Sequence, residues 1–463
     1  MREQSERLGR DPVPSLLVSL AVPATVGMLV MALHSVIDTI YIARGVGTVG
    51  VAAVAISFPV QLFFLALAGA LGIGGGSVIS RSLGADDPDK ANRAFGNILS
   101  MIIIVSLIGA FLGLAYLTPM LKLFGASKTI MPYAIDYLGI ILYGTISFAF
   151  GFSINNIVRA EGNARVAMLT MIMSSVLNIL FTPLFMFALN MGIKGAAYGT
   201  VAAQGITAVY LLVYFFSGKS SLSIRLLYLT PDFALIKEIM AVGASAFARQ
   251  GSASVMLIIA NNMLIYYGGD LAIAVLGIIH RVMMFTLMPI LGVVQGMLPL
   301  VGFNYGAGKK IRVNESIILS LKVSTMISCA AFLLVMAIPG ALMRVFTTDP
   351  EAIAMGQSAL RIMFALSMTV GVQMITGGVF QALGKGKEAF IMSLARQVIF
   401  LIPLLLLLPV LFGLTGVWIA FPLAEMFSFL LALCLIKRHR DYFFSDKLSR
   451  VKLCSETSSA ANS

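Results

Sequence analysis

The chain has 463 residues, 59% of them hydrophobic and only 11% charged, with a mean hydropathy of +0.97. That balance excludes a soluble globular enzyme or binding module, and apolar runs of about 20 residues recur along the whole length, each long enough to cross a bilayer as a helix. The formal charge of +12 would suit nucleic acid in a soluble protein, but no basic patch interleaved with aromatics stands free of the apolar runs. The expected partner is therefore the lipid bilayer, with no nucleic acid.

Taken in order, the pattern predicts twelve helices, at about 15–43, 50–80, 94–117, 133–158, 166–190, 195–217, 238–266, 272–302, 316–340, 355–382, 390–412 and 416–437. A short charged tail, MREQSERLGRDP, precedes the first and is expected to be retained. Gly45 and Gly47 close the first helix, Asp86, Asp87 and Pro88 follow the second, and Thr118 and Pro119 end the third. Gly192 and Gly195 part the fifth from the sixth. The polar stretch from Ser217 to Lys237 divides the chain near its middle. The resulting plan is an N-lobe (1–217), a linker (218–237), a C-lobe (238–440) and a tail (441–463) whose end is expected to be disordered. Cys329, Cys434 and Cys454 show no metal-like spacing, and no metal site is expected.

The first helix carries the most informative ionisable group. Between Leu16 and Ile42 there is one carboxylate, Asp38, and one imidazole, His34. A lone carboxylate in a span is costly and reads first as part of an ion or proton pathway. The competing reading is a helix-terminal acid that snorkels to the surface. His34 lies one helical turn before Asp38, on the same face. It is either a proton relay to Asp38 or a packed neutral histidine. Glu425, inside the last helix, reads as a group for cation attraction or protonation, or as a hydrogen-bonded structural acid. Arg281, beside His280, reads as a structural arginine. The glycine run Gly74–Gly76 is no phosphate loop, since no GK[ST] follows, and it serves bending or close packing instead.

Lys and Arg placement gives the orientation. With the N-terminus inside, 25 of the 32 basic residues fall in inner segments, as the positive-inside rule requires. Both termini are then cytoplasmic, and the chain is a multi-pass protein of the cell inner membrane. The halves also repeat at an offset of about 222. SLGADDPDKANR at Ser82 parallels NYGAGKKIRVNE at Asn304, RAEGNAR at Arg159 parallels QALGKGK at Gln381, and GIKGAAYGTVAAQ at Gly192 parallels GLTGVWIAFPLAE at Gly413. Two six-helix bundles of like orientation make an alternating-access device.

Five motifs in order carry a family resemblance: VIDTIYIARGVGTVGVAAVA at Val36, GGGSVISRSLGADD at Gly74, IVRAEGNAR at Ile157, NMGIKGAAYGTVAAQ at Asn190 and VVQGMLPLVGFNYGAGK at Val293. From about Leu16 to Lys437 the sequence resembles the multidrug and toxic compound extrusion (MATE) transporters, and Leu276 to Arg312 is most similar to the MepA-like bacterial branch. The resemblance implies an all-α polytopic fold of twelve transmembrane helices in two pseudo-symmetric six-helix lobes around a V-shaped cavity. It implies export of organic cations and drugs in exchange for H+ or Na+. No HExxH, GxSxG or paired intramembrane aspartates appear, so no enzyme activity is expected; no cofactor is expected either, and the expected partners of a monomer are small cationic amphiphilic drugs or toxins.

Carried over by position, the resemblance places an N-lobe cation site on Asp38, Tyr137, Asn155, Asn178 and Thr200. Thr182 stands where many relatives have a second carboxylate, and His34 and Ser35 stand where Tyr-Asn is common. The carboxylates of some relatives' seventh and tenth helices are missing, with Arg249, Gln250 and Ser252 in one region and Gln373 in the other. H+ is therefore the expected coupling ion, with Asp38 and His34 at the centre. A Na+-coupled antiporter and a flippase for a lipid-linked substrate are the alternatives. Candidate cavity residues are Met28, Met31, Gln61, Gln204, Met256, His280, Arg281, Met288, Gln373 and Glu425.

Overall fold

Apolar spans offer the backbone no water, so each N–H and C=O must be satisfied within its own helix. The computed structural model, which describes residues 3–443, is accordingly helical throughout, with no strand among the described residues. After the short helix α1 (Glu3–Arg10) come α2 (Val13–Val46), α3 (Thr48–Gly84), α4 (Pro88–Ala115) and the short α5 (Leu117–Leu123). The fourth crossing is α6 (Met131–Tyr143) and α7 (Thr145–Ala160), bent by 55°. The fifth is α8 (Ala164–Pro183), extended by a π-helical turn over Leu184–Ala188, and the sixth is α9 (Gly192–Phe216).

The C-lobe repeats this plan. Helix α10 (Phe233–Gly306) is broken at Gly269 and supplies two crossings. Then come α11 (Lys310–Ala337), the short α12 (Pro339–Arg344), and α13 (Pro350–Met363) with α14 (Val370–Ala382), bent by 46°. Helix α15 (Gly386–Leu394) runs through a π-helical turn, Ala395–Leu401, into α16 (Ile402–Arg438), which breaks at Gly413, and α17 (Arg440–Phe443) ends the described chain. With α10 and the α15–α16 run each counted as two, twelve crossings result among the described residues, as the apolar pattern predicts. The tail expected to be disordered lies, from 444 on, outside the described residues.

The repeat is written in the backbone. Gly47 and Gly269, Asp86 and Gly308, and Gly162 and Gly384 form pairs 222 apart (269 − 47, for example), and every member has positive φ. Gly192 and Gly413 form a fourth such pair, 221 apart. Left-handed backbone is the usual way to reverse or end a helix. Matching left-handed stops at offsets of 221–222 therefore cut the two halves into matching helices.

The lobes meet at the face carrying α1. A shared apolar core joins Leu16, Leu17 and Leu20 of α2 to Met297, Leu300 and Val301 of α10 and to Ile375 and Val379 of α14. Cross-lobe polar contacts gather at the same face: Ser77 donates to the Gln381 carbonyl, and Glu238 accepts from Arg81 and Lys90, each at 3.0 Å. The backbones themselves touch. A Cβ on Gly84 would lie 1.9 Å from the Phe303 carbonyl oxygen, and one on Gly74 would lie 2.2 Å from that of Ile239. The glycine run therefore serves close packing. Other cores sit within single lobes toward the opposite face, around Ile42, Phe64 and Leu138 in one and Val275, Leu360 and Trp418 in the other. The lobes thus join at the α1 face and splay beyond it.

The N-terminal segment reads in the sequence as a plain charged tail, but it folds. Leu8 is buried in the shared core. Arg312 donates to the Leu8 and Asp11 carbonyls at 3.1 and 2.7 Å, and Ser5 donates to the Glu161 carbonyl at 3.1 Å. One short helix therefore ties both lobes together.

Candidate functional site

Asp38 sits in the half of α2 beyond the shared core. It is held by Thr182 of α8, whose hydroxyl lies 3.2 Å from Asp38 Oδ1 and 3.3 Å from Asn178 Oδ1. Asn178 Nδ2 in turn donates to Thr200 Oγ1 of α9 at 3.0 Å, and Thr200 donates to the Ala196 carbonyl at 3.0 Å. Asn178 and Thr182 are one helical turn apart and so share a face of α8. Three helices thereby line up one polar chain, Asp38–Thr182–Asn178–Thr200. Thr182, Asn178 and the phenol of Tyr137 are buried. Tyr137 lies in the field of Asp38 and beside Gln61.

The chain has one donor fewer than it has acceptors. A single hydroxyl proton on Thr182 serves either Asp38 or Asn178, not both. If Asp38 carries a proton, it donates to Thr182, and Thr182 is free to donate to Asn178. Every oxygen–oxygen contact then holds one proton.

Asn155 departs from the site that resemblance assigns to it. Its amide donates to the Ala167 carbonyl and to Thr170 Oγ1, both at 2.7 Å, and its oxygen accepts from Arg159. These bonds commit Asn155 to the α7–α8 contact rather than to Asp38. His34 makes no hydrogen bond to Asp38. Its Nδ1 lies 3.0 Å from the Met31 carbonyl, which can only accept, so Nδ1 carries the proton. His34 still stands within electrostatic reach of Asp38.

A cavity of about 170 Å³ opens inside the N-lobe next to this chain. Met31 and His34 of α2, Phe152, Asn155 and Arg159 of α7, Ser174 of α8, and Gln204 and Thr207 of α9 are among its walls. Of the four candidate cavity methionines, Met31 lines it. Met28 is half-buried on α2, Met256 packs on the C-lobe core, and Met288 is buried. The last two are packing residues, because α10 turns those positions toward neighbouring helices.

In the C-lobe, Glu425 accepts from Gln373 Nε2 at 2.8 Å and pairs with Arg396 at 3.2 Å. Arg396 and Arg249, which the charge count places among inner segments, instead face a cavity of about 70 Å³ with Gln373 and Gln397. Glu425 is thus the counter-ion of a basic cluster, which favours its reading as a structural acid. His280 and Arg281 are exposed on α10.

Two functional-looking groups escape sequence reasoning. Arg159 is 7% exposed, and its Nε and Nη1 have no hydrogen-bond partner. Its spacing of four from Asn155 is the available signal, but a position in IVRAEGNAR beside a turn reads as a loop charge. Glu161, in the loop after α7, is buried and accepts from Tyr214 at 2.8 Å, Ser220 at 2.7 Å and the Ser221 N–H at 2.9 Å. Burial pushes its carboxyl up to about 7 against those hydrogen bonds, which favour the anion.

The geometry can be set beside known proteins. A family model described as MatE matches residues 23–184 and again 247–407, so the model fits each lobe once. The chain is 27% identical over 437 residues to the multidrug export protein MepA of Staphylococcus haemolyticus, covering 94% of this chain and 96% of that protein. It is likewise 27% identical over 441 residues to MepA of Staphylococcus aureus, covering 95% and 97%. Among solved structures, it superposes on a ligand complex of the MATE multidrug transporter DinF-BH with a TM-score of 0.89 at 50% identity, covering 95% of this chain and 99% of that one. It superposes with a TM-score of 0.89 at 28% identity on a MATE crystallised in the bent conformation, covering 95% and 97%.

Proposed function

Since the chain belongs to the MatE family of multidrug export transporters, we propose that it is a secondary active antiporter that exports organic cations and drugs in exchange for H+. Alternating access between the two lobes carries the exchange. The protein sits in the inner membrane with the α1 face toward the cytoplasm, in keeping with the basic residues gathered there.

The observation that carries proton coupling is the Asp38–Thr182–Asn178–Thr200 chain with its missing proton. Ionised, Asp38 accepts the hydrogen bond from Thr182 and leaves Asn178 Oδ1 without it. Protonated, Asp38 completes the chain and ties α2 to α8 and α9. Gain of one proton therefore changes how firmly α2 is held in the N-lobe, which is what a coupling group must do. In the cycle, Asp38 takes a proton while its cleft faces outward, and the cationic drug leaves. It loses the proton on the inner side, where drug is accepted. Exchange of one monovalent cation for one proton is electroneutral and is driven by about 1.4 kcal/mol per pH unit. A second proton would add about 2.3 kcal/mol per 100 mV.

A Na+-coupled cycle is the second reading, because the same chain offers one carboxylate and several neutral oxygens, a donor set that hard cations accept. Transport in proteoliposomes under imposed pH or Na+ gradients separates the two. Wild type is expected to follow the pH gradient and Asp38→Asn to lose export while still folding and inserting. Full export by Asp38→Asn, or a response to Na+ alone, overturns proton coupling at Asp38.

A further inference from the structure

The N-lobe cavity has a sign that a site for simple cations should not have. No Asp or Glu stands among its lining residues, while Arg159 does. Arg159 is the base of the cavity and also lines the narrow pocket between the lobes with Ser77, Asn156 and Gln295. One of its nitrogens, Nη2, donates to Asn155 and lies 3.9 Å from the Met171 sulfur. The other two nitrogens are buried without a partner. The nearest carboxylate in sequence, Glu161, is taken by Tyr214, Ser220 and Ser221. No ion pair to Arg159 occurs among the described residues.

A buried guanidinium without a counter-ion is costly, and the cost is recovered when an anion arrives. Arginine stays charged and presents several donors in a plane, which suits a carboxylate. We propose that Arg159 forms an anion subsite that holds the carboxylate of an amphiphilic substrate at the base of the N-lobe cavity. The apolar body of that substrate packs on Met31, Phe148 and Phe152. A substrate that also carries an amine directs it along α2 toward Asp38, one helical turn beyond His34. The favoured substrates are therefore those organic cations that also carry a carboxylate. This rests on the export reading above and refines the substrate class it names.

The test measures binding by fluorescence polarisation on the purified full chain in detergent, separately from transport. The probes are a cationic rhodamine ethyl ester and the same dye with its carboxylate free. Wild type should bind the free-carboxylate dye more tightly than the ester. Arg159→Gln should weaken the free-carboxylate dye at least tenfold and leave the ester unchanged or tighter, and Arg159→Lys should restore part of the preference. Should Arg159→Gln fail to fold, Ser174→Glu keeps Arg159 and places an anion in the cavity wall, with the same expected loss of preference.

Equal effects on both dyes, or no preference in wild type, overturn the subsite. So does displacement of the free-carboxylate dye by phosphatidylglycerol alone, which would assign Arg159 to a lipid headgroup. Binding with the expected preference but no dye efflux from proteoliposomes would instead overturn the export reading and leave the subsite standing.

Discussion

Glu161→Gln isolates a titration that the structure places outside the spans and inside the fold. The carboxyl lies in the loop after α7, 2% exposed, and holds Ser220, Ser221 and Tyr214 together. Folding raises it from an ordinary 4.5 to about 7. Between those values the native state binds more protons than the unfolded chain, so stability falls as pH rises. The contribution is fully present below about 4.5 and gone above about 7. A shift of this size is worth about 3 kcal/mol, at roughly 1.4 kcal/mol per unit. Gln cannot titrate, and it also places an amide near the Ser221 N–H, a constant cost of about 1–2 kcal/mol. The stability difference between wild type and Glu161→Gln, followed by unfolding in detergent from about pH 4 to about pH 8, should therefore change by about 3 kcal/mol in favour of the variant. Parallel pH curves for the two proteins would refute the reasoning, because Glu161 would then titrate alike in folded and unfolded chains.

Two further outcomes follow from the same geometry. Thr182→Val removes the hydroxyl that links Asp38 to Asn178; a hydrogen bond to a charged group is worth about 2 kcal/mol, so pH-driven drug efflux should fall at least tenfold, and Thr182→Ser should restore it. Glu425→Gln leaves Arg396 without its counter-ion and should lower stability in detergent by about 3 kcal/mol, while the pH dependence of efflux stays as in wild type under the proposed coupling at Asp38; a changed pH dependence would make Glu425 part of the coupling.

Much of the architecture is legible in the residue pattern alone. Apolar length marks the spans, because a single segment in lipid can satisfy its own backbone only as a helix. Turn glycines at a constant offset mark the repeat, because left-handed backbone carries its own residue preference. Asp38 is equally plain, since one carboxylate in an apolar helix stands out whatever surrounds it. Asn155 shows where this legibility ends. It shares α7 with Arg159 by simple spacing, yet whether it meets Asp38 depends on how α7 rotates and bends against α8, and spacing within one helix says nothing of that. The same holds for Met256 and Met288, which periodicity leaves free to face either a cavity or a core.

Two charges make the point most clearly. By sequence, Arg159 and Glu161 are loop charges two residues apart that could neutralise each other. Tertiary packing sends Glu161 to Tyr214 and the linker serines, and turns Arg159 into the cavity with two nitrogens unpartnered. Local polarity and backbone preference are enough to specify the membrane class, the twelve helices, their duplication and the isolated Asp38, because each of these is a property of a single segment. Which polar groups satisfy one another, and which are left for a substrate, emerges only when the helices pack, because the pairing of buried charges depends on distances between helices that no single helix encodes.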